Sequence, residues 1–163
     1  MTFQTTYPLN HSPAVAGQIA DARPDQFVTS YTAAEDIPAG RFVVVDSNGK
    51  CELPKAASLT KVVGVAIYSS SNPPGGYRAG DQVPVLRRGS VWCDLNGGTV
   101  SDLSTANLKH ASTDGSGNAQ HRGKVTASAT SATAGAEVSA LSGVVFREAD
   151  GTTLARVELN LPA

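Results

Sequence analysis

The sequence predicts an all-β protein, an antiparallel β-barrel or jelly-roll-like sandwich with an extended N-terminal arm. Three observations lead there. No stretch of the 163 residues sustains an apolar period of 3.6, as an amphipathic helix would. Short apolar, β-branched segments recur instead, at roughly 10 to 20 residue spacing. Turn formers separate them, drawn from 16 glycines and 9 prolines. Short strands alternating with Gly-rich turns are what sandwiches and barrels require.

The elements follow in order. Residues 1–30 form the arm and residues 31–163 the β domain. Met1 to Gln26 holds Pro8, Pro13 and Pro24 and few paired apolar positions, so it reads as extended chain. Residues 27–34 are β-prone, and Ile37-Pro38-Ala39-Gly40 makes a turn. Phe42 to Val45 and Lys50 to Leu53 read as a hairpin, with Asn48-Gly49 supplying two residues that tolerate φ > 0. Val62 to Tyr68 is nearly all apolar, which predicts a strand covered on both faces. Ser69 to Gly76, with Asn72-Pro73-Pro74-Gly75-Gly76, reads as an exposed loop.

Gln82 to Arg87 and Ser90 to Leu95 read as a second hairpin, turning at Arg88-Gly89. Pro84 lacks a backbone donor, which places that strand at an edge or a bulge. Ala106–Ala111 and Ala119–Thr130 read as a longer hairpin around a polar Asp114–Asn118 turn. A short helix over Ser101–Lys109, capped by Ser101, is the competing reading. Thr126 to Ala136 is small and polar, a surface segment. The last hairpin joins Gly143–Glu148 to Leu154–Leu161 through Asp150-Gly151. In its second arm Ala155, Val157, Leu159 and Leu161 share one face.

Composition excludes several functions. Lys plus Arg is 13 and Asp plus Glu 14, a net charge of −1, so no polycation is available for nucleic acid. The apolar runs Phe42–Val45 and Val62–Ile67 fall far short of the roughly 20 residues that cross a bilayer as a helix. Neither nucleic acid nor membrane is therefore expected as a partner. No cationic segment precedes an apolar one at the N-terminus, so no signal peptide is expected. Cys51 and Cys93 are expected as reduced, partly buried thiols.

The residue patterns of catalysis are missing. His11, His110 and His121 fall in no metal-protease or deaminase motif. His110 and His121 flank the Asp114–Asn118 turn, where two exposed histidines are the plain reading and a weak metal pair the sharper one. Asp114-Gly115-Ser116-Gly117-Asn118 has too few acidic oxygens for calcium. Gly75-Gly76 and Gly97-Gly98 lack the Lys-Ser/Thr of a phosphate cradle. No catalytic residue, cofactor or metal site is expected. Trp92 reads as core packing. Phe3, Tyr7, Val15 and Ile19 make the arm too apolar for a solvated tail; such arms order on a neighbour.

Several motifs together resemble the cement, or capsid-decoration, proteins of tailed bacteriophages. They are Gly17-Gln18-Ile19-Ala20-Asp21, Ile37-Pro38-Ala39-Gly40-Arg41-Phe42-Val43-Val44 and Val63-Gly64-Val65-Ala66. Tyr77-Arg78-Ala79-Gly80-Asp81-Gln82-Val83-Pro84-Val85-Leu86, Gly89-Ser90-Val91-Trp92-Cys93 and Ala155-Arg156-Val157-Glu158-Leu159-Asn160 follow in order. The resemblance spans most of the chain and is weakest between about residues 100 and 140. It implies a non-enzymatic β-barrel or jelly-roll body on the capsid exterior, made in the bacterial host cytoplasm. The implied partners are the major capsid protein and further copies of the chain, as dimer or trimer. On that reading Phe3, Tyr7, Val15, Ile19, Phe27, Arg87 and Arg88 are the contact residues. The competing readings are a tail or baseplate module binding host glycan, and a small hydrolase using His110 or His121.

Overall fold

The structure is a computed structural model that describes residues 15–21, 24–55, 61–71, 76–110, 121–129 and 137–161. Nine strands run in chain order: β1 (Phe27–Thr32), β2 (Phe42–Val45), β3 (Cys51–Glu52), β4 (Val62–Ala66), β5 (Gln82–Asp94), β6 (Thr105–His110), β7 (Val125–Thr126), β8 (Glu137–Asp150) and β9 (Leu154–Asn160). They form one sheet in the order β3-β2-β4-β5-β9-β8-β6-β7, with β1 added on β5. Every strand pair is antiparallel, and the sheet curls into a half-barrel. The predicted all-β class is the observed one.

The hairpin expected at Arg88-Gly89 does not form. Gln82 to Asp94 is one unbroken strand. Its backbone has partners along both edges, and these outweigh a local turn signal. β1 pairs with its first half, from Thr32↔Gln82 to Phe27↔Arg88. β9 pairs with its second half, from Asn160↔Arg88 to Leu154↔Asp94. On the opposite edge β4 meets Val85 and Leu86, and Ile19 bridges Val91. The Arg88-Gly89 signal marks a change of phase. Val83 and Val85 face one core, while Leu86, Val91 and Cys93 face the other. The register with β1 skips Arg87, setting Phe27 opposite Arg88 and Val28 opposite Leu86, and Gly89 follows at φ +129.

Two hydrophobic cores therefore share a wall. In β2, Phe42 faces the larger core and Val43 the smaller; in β4, Val65 and Ala66 divide in the same way. The expectation that the Val62–Tyr68 segment is covered on both faces holds for this reason over Val62–Ala66, while Tyr68 lies past the end of β4 and is exposed. A parallel bridge between Ala33 and Cys51 closes the smaller core, and one between Leu95 and Val125 closes the larger. The C-terminal strand behaves as its alternation predicts. Ala155, Val157, Leu159 and Leu161 are all buried in the larger core.

Pro84 is neither at a free edge nor in a bulge. It pairs with Ser30 of β1, and its carbonyl accepts from Ile67 N at 2.9 Å. Proline cannot return that bond, which leaves the Ile67 carbonyl without its ladder donor. The hydroxyl of Tyr77 supplies one at 2.6 Å. Tyr77 is buried in the smaller core, and burial raises its phenol pKa.

Other local expectations are corrected. In the β2–β3 turn Gly49 alone has positive φ, so Asn48-Gly49 is not a two-residue turn of paired left-handed residues. Asp46 closes a longer loop by accepting from the backbone of Asn48 at 2.8 Å and Lys50 at 2.9 Å. Ser101 does not cap a helix: its carbonyl accepts from Ser104 N at 3.1 Å, and a strand begins at Thr105. Pairing of Asn107 and Leu108 with Thr126 and Val125 holds the hairpin reading there. The Asn72–Gly75, Asp114–Asn118 and Ser131–Ala136 expectations lie outside the described residues. Trp92 is half-buried and faces away from its core neighbours Val91 and Cys93.

Replacing Tyr77 by Phe removes the donor to Ile67 and little volume. We expect a loss of about 1–3 kcal/mol in denaturant unfolding, the cost of an orphaned buried carbonyl. Wild-type stability in that variant would show that the hydroxyl does not substitute for the proline's missing N–H.

Candidate functional site

Three surface features bear on function: the base of the arm, a groove beside Arg88, and a charged seam where the larger core closes. The arm base docks as a short strand. Gly17 N donates to Trp92 O at 2.7 Å, Trp92 N to Gln18 O at 3.0 Å, and Ala20 N to Ser90 O at 2.8 Å. Tyr68 N donates to Gly17 O at 2.9 Å. Gly17 has φ +83, and a Cβ there would lie 2.6 Å from Tyr68 N, so only glycine fits this crossing. Ile19 is half-buried against β5, while Val15, where the described arm begins, is 49% exposed.

The groove lies across β5 from the arm base. One concavity of about 190 Å³ is lined by Asp25, Gln26, Phe27, Arg88 and Leu161. A second of about 400 Å³ shares Asp25 and Arg88 and extends over Glu158 and Asn160. Phe27 is 46% exposed, and the Arg87 guanidinium lies 5.8 Å from its ring centroid, a cation–π distance. The register pairs Phe27 with Arg88 directly. Three of the predicted contact residues, Phe27, Arg87 and Arg88, thus meet at one place. Val15 and Ile19 lie on the other edge of β5, and Phe3 and Tyr7 lie outside the described residues. Arg87 and Arg88 are not a hairpin tip; the continuous strand carries them into this groove.

The outer face of β5, β9 and β8 is laced with ion pairs. Arg156 reaches Glu148 at 3.1 Å and Ser90 Oγ at 3.1 Å, and Arg147 reaches Glu158 at 2.7 Å and Asp102 at 3.5 Å. Exposed pairs of this kind add little stability each. They keep a broad, flat sheet face solvated.

At the seam, the turn before β7 packs on β2, β6 and the end of β5. Gly123 N donates to Lys109 O, Lys109 N to Lys124 O, and Phe42 N to Gly123 O. Arg122, 9% exposed, makes a two-pronged pair with Glu35 at 2.7 and 3.1 Å and also donates to Pro54 O. Glu35 accepts in addition from Leu53 N at 2.8 Å. Arg41 pairs with Asp94 at 3.2 Å and donates to Arg122 O. Composition and motif spacing do not show this clasp, because its members come from segments up to 87 residues apart.

The histidines do not face each other. His110 is buried, not exposed, with Nε2 3.0 Å from Ser139 Oγ. His121 meets Asn96 Nδ2 through its Nδ1 at 2.8 Å. Burial lowers the His121 pKa below 6.5, helped by the nearby charges of Lys109, Lys124 and Arg41. No group of three or more His, Cys, Asp or Glu is placed to hold a metal among the described residues. Cys51 and Cys93 are fully buried free thiols in separate cores. Burial pushes Cys51 to about 11 and Cys93 well above the ordinary thiol range.

These features sit on a curled all-β body, and comparison with known proteins says which family has it. The chain belongs to the family described as structural cement protein (E217 gp24/Pam3 gp6), which matches residues 3–160. Among solved structures it is similar to a chain of the capsid of Myoviridae phage XM1, at 21% identity and a TM-score of 0.73, with 98% of each chain covered. That likeness establishes a shared fold. No curated protein matches.

The depressed His121 pKa has a consequence for stability. The unfolded chain holds that proton more tightly, so the contribution is complete above about pH 6.5 and declines as pH drops through it. Thermal melts between pH 7.5 and 5.5 are expected to fall more steeply for the wild type than for His121→Asn. Equal slopes would contradict this. Both thiols are expected to resist a disulfide-exchange reagent until the chain unfolds.

Proposed function

We propose that this chain cements the head of a tailed phage. It binds the capsid exterior and bridges neighbouring major capsid protein subunits, and it works as a homo-oligomer without catalysis. The whole-chain membership in the structural cement family carries this reading. It favours a capsid role over a glycan-binding tail module or a hydrolase. On this reading the protein is made in the host cytoplasm and ends on the virion surface.

The physical properties fit. A repeating shell presents the same site many times, so a modest energy per contact suffices once several contacts are engaged together. Closed, symmetric oligomers match sites on symmetry axes. A net charge of −1 limits repulsion between crowded copies. The groove at Phe27, Arg87 and Arg88 and the arm that leaves the body at Val15 are the two contact regions, on opposite edges of β5. Phe3 and Tyr7, outside the described residues, are further candidates for contact on this reading.

Purified protein is expected to pellet with expanded heads that lack it. Absence from the pellet at every salt concentration would overturn the proposal. Phe27→Ala with Arg88→Glu is expected to weaken that binding about tenfold or more while leaving the melting temperature nearly unchanged. Protease is expected to cut the arm in free protein and spare it on heads.

A further inference from the structure

The seam carries more positive charge than its own carboxylates answer. Arg41, Lys109, Arg122 and Lys124 meet there with Asp94 and Glu35 as the acidic groups among the described residues. Both carboxylates are engaged. Glu35 is held by Arg122 and by the Leu53 amide, and Asp94 by Arg41. Lys109 is 3% exposed. Neither it nor Lys124 has a carboxylate partner among the described residues. Its stem is covered by neighbouring residues while its ammonium keeps contact with solvent, so the charge stands at the surface of the seam with no carboxylate beside it.

The neighbouring groups are arranged to receive an anion. Backbone bonds hold Lys109 against Lys124, and Lys124 N donates to His121 O at 3.1 Å, so the three side chains start from adjacent positions. Asn96 donates to His121 Nδ1, which puts the ring's own proton on Nε2 and leaves it as a donor. His121, Lys124 and Arg41 are part-exposed, and Lys109 lies beneath them. The chain as a whole is almost neutral, so this excess is local.

We propose that the seam at Lys109, His121 and Lys124 receives an acidic side chain of the partner shell. This rests on the capsid reading above and adds a third contact, distinct from the groove and the arm. The argument for that occupant is charge complementarity: a carboxylate is the group that satisfies two ammonium ions and an imidazole N–H together. Docking there also ties β2, β6 and the end of β5 together through the turn before β7. Shell binding then tightens the closure of the larger core.

Two arms test this. In the first, wild type, Lys124→Gln, Lys109→Met and a control, Lys50→Gln on the exposed β2–β3 hairpin, are pelleted with expanded heads over a range of sodium chloride. Lys124→Gln and Lys109→Met are expected to bind about tenfold more weakly and with a shallower salt dependence, while the control binds as wild type. Lys109→Met is expected to keep the melting temperature near wild type, since methionine preserves the covered stem and removes a charge that no carboxylate answers. Wild-type binding by Lys124→Gln would overturn the proposal, and this part-exposed substitution decides the matter if Lys109→Met does not fold. In the second arm the His121 ring is followed by NMR as a glutamate-rich peptide is added to free protein. The ring is expected to shift and its pKa to rise in wild type but not in Lys124→Gln. No shift, or a shift with inorganic phosphate alone, would overturn the site. Failure of wild type to bind heads, with the peptide response intact, would instead remove the capsid reading and leave an acidic-peptide site.

Discussion

The double role of β5 is the constraint on which the rest of the molecule depends. Its thirteen residues give backbone bonds to β1, β4, β9 and the arm, and side chains to two cores. A strand saturated on both edges cannot turn back on itself, whatever its local residues prefer. The skip at Arg87 passes it from one core to the other without breaking the ladder. The groove opens on the edge held by β1 and β9, and residues 17–20 pair along the opposite edge.

The two cores also explain how a chain with few aromatics builds a rigid body. A wall used on both faces buries Phe42 and Val65 in the larger core and their neighbours Val43 and Ala66 in the smaller, so successive residues of the short strands serve different cores. Polar groups that this arrangement would strand are met individually. Tyr77 answers the carbonyl left by Pro84, and Glu35 answers Arg122. The outward faces are left to ion pairs and small residues.

Much of this was legible in order along the chain. The β class, the β2–β3 hairpin, the doubly covered β4 and the alternating β9 all follow from patterns within a dozen residues. The candidate contact residues were legible only as separate signals. Phe27, Arg87 and Arg88 stand out as an aromatic at the start of a β-prone segment and a basic doublet, yet nothing local says that they meet. They meet because β1 pairs with β5 in a register that sets Phe27 opposite Arg88. The seam was not legible at all: Lys109, His121 and Arg41 are ordinary residues until three distant segments close on one another. The helix considered for Ser101–Lys109 fails for a related reason, since β8 recruits Thr105 and its neighbours into the sheet.

The amino-acid sequence by itself determined the all-β class, the positions of most strands and, through its spaced motifs, the family resemblance. These depend on side-chain alternation and turn chemistry, which act over a few residues. Tertiary structure alone decided that β5 runs straight through its turn signal, that Trp92 faces outward, and that the groove and seam exist. Each of these depends on which distant strand supplies a backbone partner. A hydrogen-bonded neighbour on both edges outweighs the preference of any two residues for a turn.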